Sequence, residues 1–382
     1  MKKSVTLFAG MMLAGYAAFA QADIKIGVTL CTTGPAASLG IPVKKGLELL
    51  PRTIAGENIQ WIILDDATDP TAASKNARKL VSEENVDLLV GSNITPNSLA
   101  VLEVAAESHT PAIPIAGASM LVTPMDAKRR WMFKVPQNES LMAKAIFDHM
   151  AKHGVKTAGF IGVNDGYGES WLKEAQSAAD AVSIKLVISE RFGKTDTSVT
   201  GQALKVLSAK PDAVLIAAAG TPAALPHVAL NQRGYKGKIY QTHGVANDDF
   251  LRVGGKDIEG AFLPVGPAQV LEQLPDNHPT RKPGKEFVQA YEAKYGPGTA
   301  NGFGAYSWDL GIWLKAAIPV ALKTAKPGTK EFRAALRDAL ESMKGVVGSH
   351  GVYNLTPTDH NGLDERGRVM VTIQGGRWKL VE

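Results

Sequence analysis

The chain predicts an α/β protein built from two doubly wound, parallel-sheet lobes. Strand-and-helix alternation runs through residues 23–115, pauses at a basic segment that ends in Pro136, and starts again at Glu139. With an export segment set aside, about 360 of the 382 residues remain, more than one ordinary core holds.

Taken in order, Lys2 and Lys3 precede an apolar run over 5–20 that is too short for a spanning helix. It closes on Ala18-Phe-Ala20 or Ala20-Gln-Ala22, both small-residue cleavage patterns, so residues 1–22 are expected to be a signal peptide. Tyr16, not Cys, follows Leu13-Ala-Gly15, so a free periplasmic protein is expected and a lipoprotein is not. Loss of the two lysines lowers the formal charge from +5 to +3, a weak basis for a nucleic-acid partner, and none is expected. Cys31 is the single cysteine, which excludes an internal disulfide.

Residues 23–30 alternate and then turn wholly apolar, as a buried first strand does. A helix is expected over 42–54, a strand over 58–64 and a helix over 71–84. The carboxylates Asp65, Asp66 and Asp69 lack calcium-loop spacing and read as helix entry, so no metal is expected there.

Residues 87–119 carry the chemistry of the first lobe. An apolar strand (87–91), a polar loop (92–95), a helix opening at Pro96 and a second strand (111–115) put two loops at the carboxyl ends of neighbouring strands. Thr95 before Pro96 is a helix start, with a hydroxyl cap and a proline at the first position. Hydroxyls and free amides at the positive end of a helix make a small anion site, or else ordinary capping on a surface loop.

Past Pro136 the expected elements are helix 139–153, strand 157–163, helix 169–181, strand 184–190, helix 198–208, strand 213–218, helix 222–232 and a short strand near Ile239. His149 and His153 have the spacing of a zinc pair but lack the intervening glutamate, so helix-end charge explains them and no metal site is assigned. The chain is expected to cross back over 260–267, to add helices over 284–295 and 302–322, and to cross a third time before a terminal hairpin. The resulting domains are 23–137 with 267–345, and 138–266 with 346–382. Three crossings make a hinge.

No motif for a nucleophile, a nucleotide or a cofactor stands behind any of these strands, which shifts weight from catalysis to binding. No cofactor is expected.

Several short motifs then occur in a telling order: Ile26-Gly-Val28, Thr33-Gly-Pro35, Asp65-Asp-Ala-Thr-Asp-Pro70, Val90-Gly91, Tyr167-Gly-Glu169, His243-Gly-Val-Ala-Asn247 and Asp359-His-Asn-Gly362. The chain resembles the branched-chain amino acid (leucine) binding family of periplasmic solute-binding proteins, which serve ATP-driven importers. The resemblance implies the type I periplasmic binding protein fold with a three-strand hinge, a monomer, a small-molecule ligand and a membrane permease of an ABC importer as partner. It also implies a ligand carboxylate held by Thr95 or Ser98, by the backbone at Gly117 and Ala118, and by Ser119, with Tyr167 and Phe303 as aromatic walls.

The departures are chemical. Where the family places the carboxylate that holds an amino acid's ammonium group, this chain has His243; where it places two tyrosines, this chain has Leu39 and the Ala219–Gly220 region. A buried ammonium without an anionic partner costs several kcal/mol, roughly a thousandfold in affinity. An organic acid, aromatic or dicarboxylic, is therefore the expected solute, with His243 either a ligand partner or a neutral wall residue. An amino acid binder and a ligand sensor of the same fold are the alternatives.

Overall fold

The structure is a computed structural model that describes residues 23–381. The expected export segment, residues 1–22, lies outside the described residues.

The first lobe opens with β1 (Ile24–Leu30), α1 (Ala37–Leu47), β2 (Thr53–Ile54), β3 (Glu57–Asp65), α2 (Pro70–Ser82), β4 (Leu88–Val90), α3 (Thr95–Ser108) and β5 (Ala112–Ile113). Its sheet runs β2-β3-β1-β4-β5, parallel except for β2. The chain leaves β1 for β3 on one side and returns to β4 on the other, so the strand order reverses between β1 and β4. Loops after those two strands therefore diverge and leave a crevice.

The second lobe repeats the device with α4 (Glu139–Lys152), β6 (Thr157–Val163), α5 (Gly166–Ala181), β7 (Lys185–Phe192), α6 (Thr200–Ala209), β8 (Ala213–Ala217), α7 (Ala224–Gln232), β9 (Lys238–Gln241), α8 (Asp248–Gly254) and β10 (Phe262–Val265). Here the order reverses between β6 and β8. The fully buried strand β8, Ala213-Val-Leu-Ile-Ala217, needs helices on both faces, and the apolar cluster that includes Trp171, Val206 and Leu230 supplies them.

After β10 the chain returns to the first lobe as α9 (Arg281–Tyr295), α10 (Gly302–Ala321) and α11 (Lys330–Glu341), followed by the small pair β11 (Val346–Val347) and β12 (Val352–Tyr353). The hairpin of β13 (Val369–Gln374) and β14 (Arg377–Leu380) then adds antiparallel strands to the second sheet beside β10.

Three differences from the sequence reading have physical causes. The third crossing lies after residue 345: Tyr353 and Leu355 are wholly buried in the first lobe's cluster with Trp313 and Leu340, and the second sheet is rejoined only at Val369. The first helix is Ala37–Leu47, with Pro42 inside it instead of at its start. Finally α8 and α11 stand where the reading assigned nothing; α11 is capped by Thr329, whose hydroxyl accepts from the Phe332 amide at 3.1 Å.

The crossings are tied side by side. Gln137 Nε2 donates to the Gly367 carbonyl at 2.7 Å, the Lys134 amide to the His360 carbonyl at 3.0 Å, and Asn361 Nδ2 to the carbonyls of Lys134 and Pro136, each at 2.8 Å. Two of the crossing segments, 134–137 and 360–367, are thus held together by backbone and side-chain hydrogen bonds and bend as one.

Candidate functional site

The two reversal points face each other, and between them lies a cleft of about 670 Å³ of empty space, its open mouth included. Its first-lobe wall comes from the loops after β1, β4 and β5, its second-lobe wall from those after β6, β7, β8 and β9, and its side from Phe303 and Tyr306 of α10. The lobes meet at its edge, where a Cβ on Gly166 at the start of α5 would sit 3.6 Å from Thr95 Cγ2 at the start of α3.

On the first-lobe side the polar groups are left waiting. Asn93 Oδ1 accepts from the Cys31 amide at 2.7 Å, which turns its Nδ2 toward no protein partner. Thr95 is the first helical residue, not the cap: Ile94 holds the extended cap position, and no side chain caps α3. The Thr95 hydroxyl is consequently buried without a hydrogen bond. A helix N-terminus adds its positive end to these two donors.

On the second-lobe side the groups are already engaged. Asp165 caps α5, accepting from the amides of Tyr167 at 2.8 Å and Gly168 at 3.3 Å, and pairs with Lys194 Nζ at 2.8 Å. Tyr167 donates its hydroxyl to Thr242 Oγ1 at 2.8 Å, and that hydroxyl donates to the Ala218 carbonyl at 3.0 Å, so the tyrosine ring is held as a wall. His243 is buried against Gly117, where a Cβ would fall 2.4 Å from its Nε2. Burial first, then the nearby charge of Lys134, pushes its pKa down to about 3, so the ring is neutral.

Of the residues singled out from sequence, Leu39, Thr95, Gly117, Tyr167, Ala219, His243 and Phe303 line the cavity. Four do not. Ser98 is spent inside the first turn of α3, donating to the carbonyls of Ile94 at 2.8 Å and Ser92 at 3.2 Å. Ala118 is packed into the first lobe's second apolar cluster. Ser119 turns away, its amide donating to Glu139 Oε2 at 3.2 Å and its hydroxyl accepting from the Ser140 amide at 3.4 Å. Gly220 is bound through its amide to the Gly244 carbonyl at 2.9 Å, at a φ of +68°. Ser119→Ala is accordingly expected to leave solute affinity within about twofold in calorimetry, since the lost hydrogen bond is a neutral one remote from the cavity.

Asn93, Asp165, Lys194 and Tyr306 line the cavity without having been picked out from sequence. Behind Gly117 lies a further polar pair. Lys134 Nζ donates to the carbonyls of Gly117 at 3.1 Å and Pro136 at 2.8 Å, and Glu139 accepts from Ser170 of α5 as well as from Ser119. Burial pushes the lysine down and the carboxyl up, and the bonds fasten the 117–119 loop to both lobes.

The profile of a family described as periplasmic binding protein matches residues 23–376. An extracellular ligand-binding receptor from Rhodopseudomonas palustris HaA2, known from its crystal structure, is 48% identical to this chain. It superposes with a TM-score of 0.91 over 94% of this chain and 100% of its own. The Leu/Ile/Val-binding protein homolog 7 of Brucella melitensis biotype 1 is 25% identical over 99% of this chain and 94% of its own length. A solute-binding protein of an ABC transporter from R. palustris, solved in complex with benzoate, shares the fold at a TM-score of 0.79, with 20% identity over 94% of this chain and 96% of that one.

Proposed function

Since the chain belongs to the periplasmic binding protein family, whose members bind a small solute for an ABC importer, we propose that its solute is a small carboxylic acid with an apolar, aromatic body. The observation that carries this reading is the asymmetry of charge partners in the cavity. Two buried donors and an uncapped helix start wait on the first lobe, while the wall's acidic residue, Asp165, is already taken by Lys194 and two amides. A carboxylate would complete the first set; an ammonium group would have to displace Lys194 from the second.

Leu39, Ile115, Val163, Ala219 and Phe303 supply an apolar middle for a ring or chain. That a protein of this fold holds benzoate shows no more than that the fold accommodates an aryl acid. We read the export segment as cleaved and the mature protein as free in the periplasm; among the described residues no helix is long and apolar enough to cross a membrane.

The second reading, an amino acid, draws on Asp165 itself, a carboxylate within reach of the cavity. Calorimetry on refolded, ligand-stripped protein separates the two. Micromolar or tighter binding of benzoate or cinnamate with no heat from leucine is expected; tight leucine binding with none of the acids overturns the proposal.

A further inference from the structure

Behind His243, Phe303 and Tyr306, which also line the main cavity, lies a small annex with room for about one water-sized group, closed by Gly266, Gln269 and His350. Two imidazoles stand in it, from opposite lobes. Both are more than nine-tenths buried, and the Nδ1 of each lacks a hydrogen-bond partner.

The roles of these nitrogens follow from their surroundings. His350 Nε2 lies 2.9 Å from the Gly302 carbonyl, which can only accept, so Nε2 carries the proton and Nδ1 is a bare lone pair. That lone pair looks across Gly266: a Cβ there would fall 1.9 Å from it and 2.6 Å from Gln137 Nε2, so a glycine keeps the spot clear. Tyr306, stacked on His350 with ring centroids 4.0 Å apart, is held by its hydroxyl bond to Gln137 Oε1 at 2.7 Å. His243 is neutral too: its Nε2 lies against Gly117, and its Nδ1 is the nitrogen left without a partner.

We infer that the solute carries a hydroxyl at the end opposite its carboxylate, seated in the annex between His243 and His350. This rests on the carboxylate reading above. A hydroxyl donates and accepts at once, so it donates to the His350 lone pair while its oxygen accepts a hydrogen bond from His243 Nδ1–H. A bare ring edge leaves both nitrogens buried and unpaired. A second carboxylate brings only lone pairs to a lone pair, in an annex whose lining holds no cationic side chain, so the dicarboxylic option is disfavoured. The class is thus a hydroxy acid, phenolic where the body is a ring.

Calorimetry on stripped protein with matched pairs tests it: 4-hydroxybenzoate against benzoate, 4-hydroxycinnamate against cinnamate, with terephthalate as the dicarboxylate. The hydroxylated member of at least one pair is expected to bind about tenfold or more tightly, and terephthalate more weakly than either parent. In His350→Leu that ratio is expected to collapse toward one. His350→Gln, which keeps a polar group for the Gly302 carbonyl, serves if the leucine variant does not fold, as judged by its thermal transition. Equal binding within both pairs overturns this inference and leaves the carboxylate reading standing. Absence of binding by all the acids overturns both, and an unchanged ratio in the folded His350 variant overturns the assignment to the annex.

Discussion

Thr95→Val is expected to weaken binding of the carboxylate solute by about ten- to a hundredfold, the worth of one hydroxyl bond to a charged oxygen, ~1.5–3 kcal/mol. The same change is expected to leave the thermal transition of the empty protein unchanged or slightly raised. The hydroxyl is buried and bonded to nothing in the protein, so its removal takes away a desolvated polar group and breaks no contact. Valine keeps the shape and suits the first turn of α3, where Pro96 already sets the backbone. Asn93 is the poorer probe: its Oδ1 holds the Cys31 amide, so truncation damages the β1 end together with the site. Titration calorimetry and a melting curve on one variant decide the matter. An unchanged affinity moves the carboxylate elsewhere, and a large loss of stability makes Thr95 a structural residue.

Much of the fold was legible because parallel sheets write themselves as wholly apolar runs between helices. Thr157–Val163 and Ala213–Ala217 are strands almost to the residue expected, and the restart of the pattern after Pro136 marks the second lobe. The misplacements share a cause, which is that local signals do not say where a segment packs. Pro42 is locally a good helix start, yet Gly40 and Leu39 before it are buried helical residues, and tertiary packing carries the proline inside. Residues 346–355 look like strand, which suggested the second sheet; it is the depth of Tyr353, its hydroxyl donating to Asp309 Oδ2 of α10 at 2.8 Å, that keeps them with the first lobe. For α11 the signal was present, as Phe332, Leu336, Ala339 and Leu340 follow helical spacing behind the Thr329 cap.

The site was legible by loop and much less so by atom. Thr95 and Tyr167 come from loops at the strand-order reversals, and Gly117 and His243 from the loops after the next strands, β5 and β9. Which residue of a loop lines the cavity depends on one helical turn: Thr95 does, its hydroxyl bonded to nothing in the protein, while Ser98, three residues on, is turned back onto the Ile94 carbonyl. Ser119 fails for a longer-range reason, since Glu139 on the other lobe takes its amide, and no pattern near residue 119 announces a carboxyl twenty positions later. Lys194 reaches the wall from the end of β7 purely through the ion pair with Asp165, a contact without a local signature.

Stability is expected to fall as pH drops from about 6.5 to 4.5, through the neutral histidines of the second lobe. Burial pushes the pKa of His227 down to about 4 and that of His243 to about 3, whereas both return to about 6.5 in the unfolded chain. Between those limits the unfolded state binds more protons, so the stabilisation is complete above 6.5 and is lost on acidification. At pH 4.5 the two together remove ~5 kcal/mol, and His350, also lowered by burial, acts in the same sense. Glu139 opposes them. Burial pushes its carboxyl up, so the folded protein already holds that proton while the unfolded chain takes it up only near 4.5; this returns part of the loss. Denaturant unfolding followed from pH 7.5 to 4.5 checks the net sign, and His227→Leu isolates its origin. His227 lies outside the cavity wall, against Gln241 Nε2 at 3.3 Å, so the variant is expected to flatten the acid limb by ~2–3 kcal/mol without touching the solute groups. A limb of undiminished depth in that variant assigns the acid sensitivity to other groups.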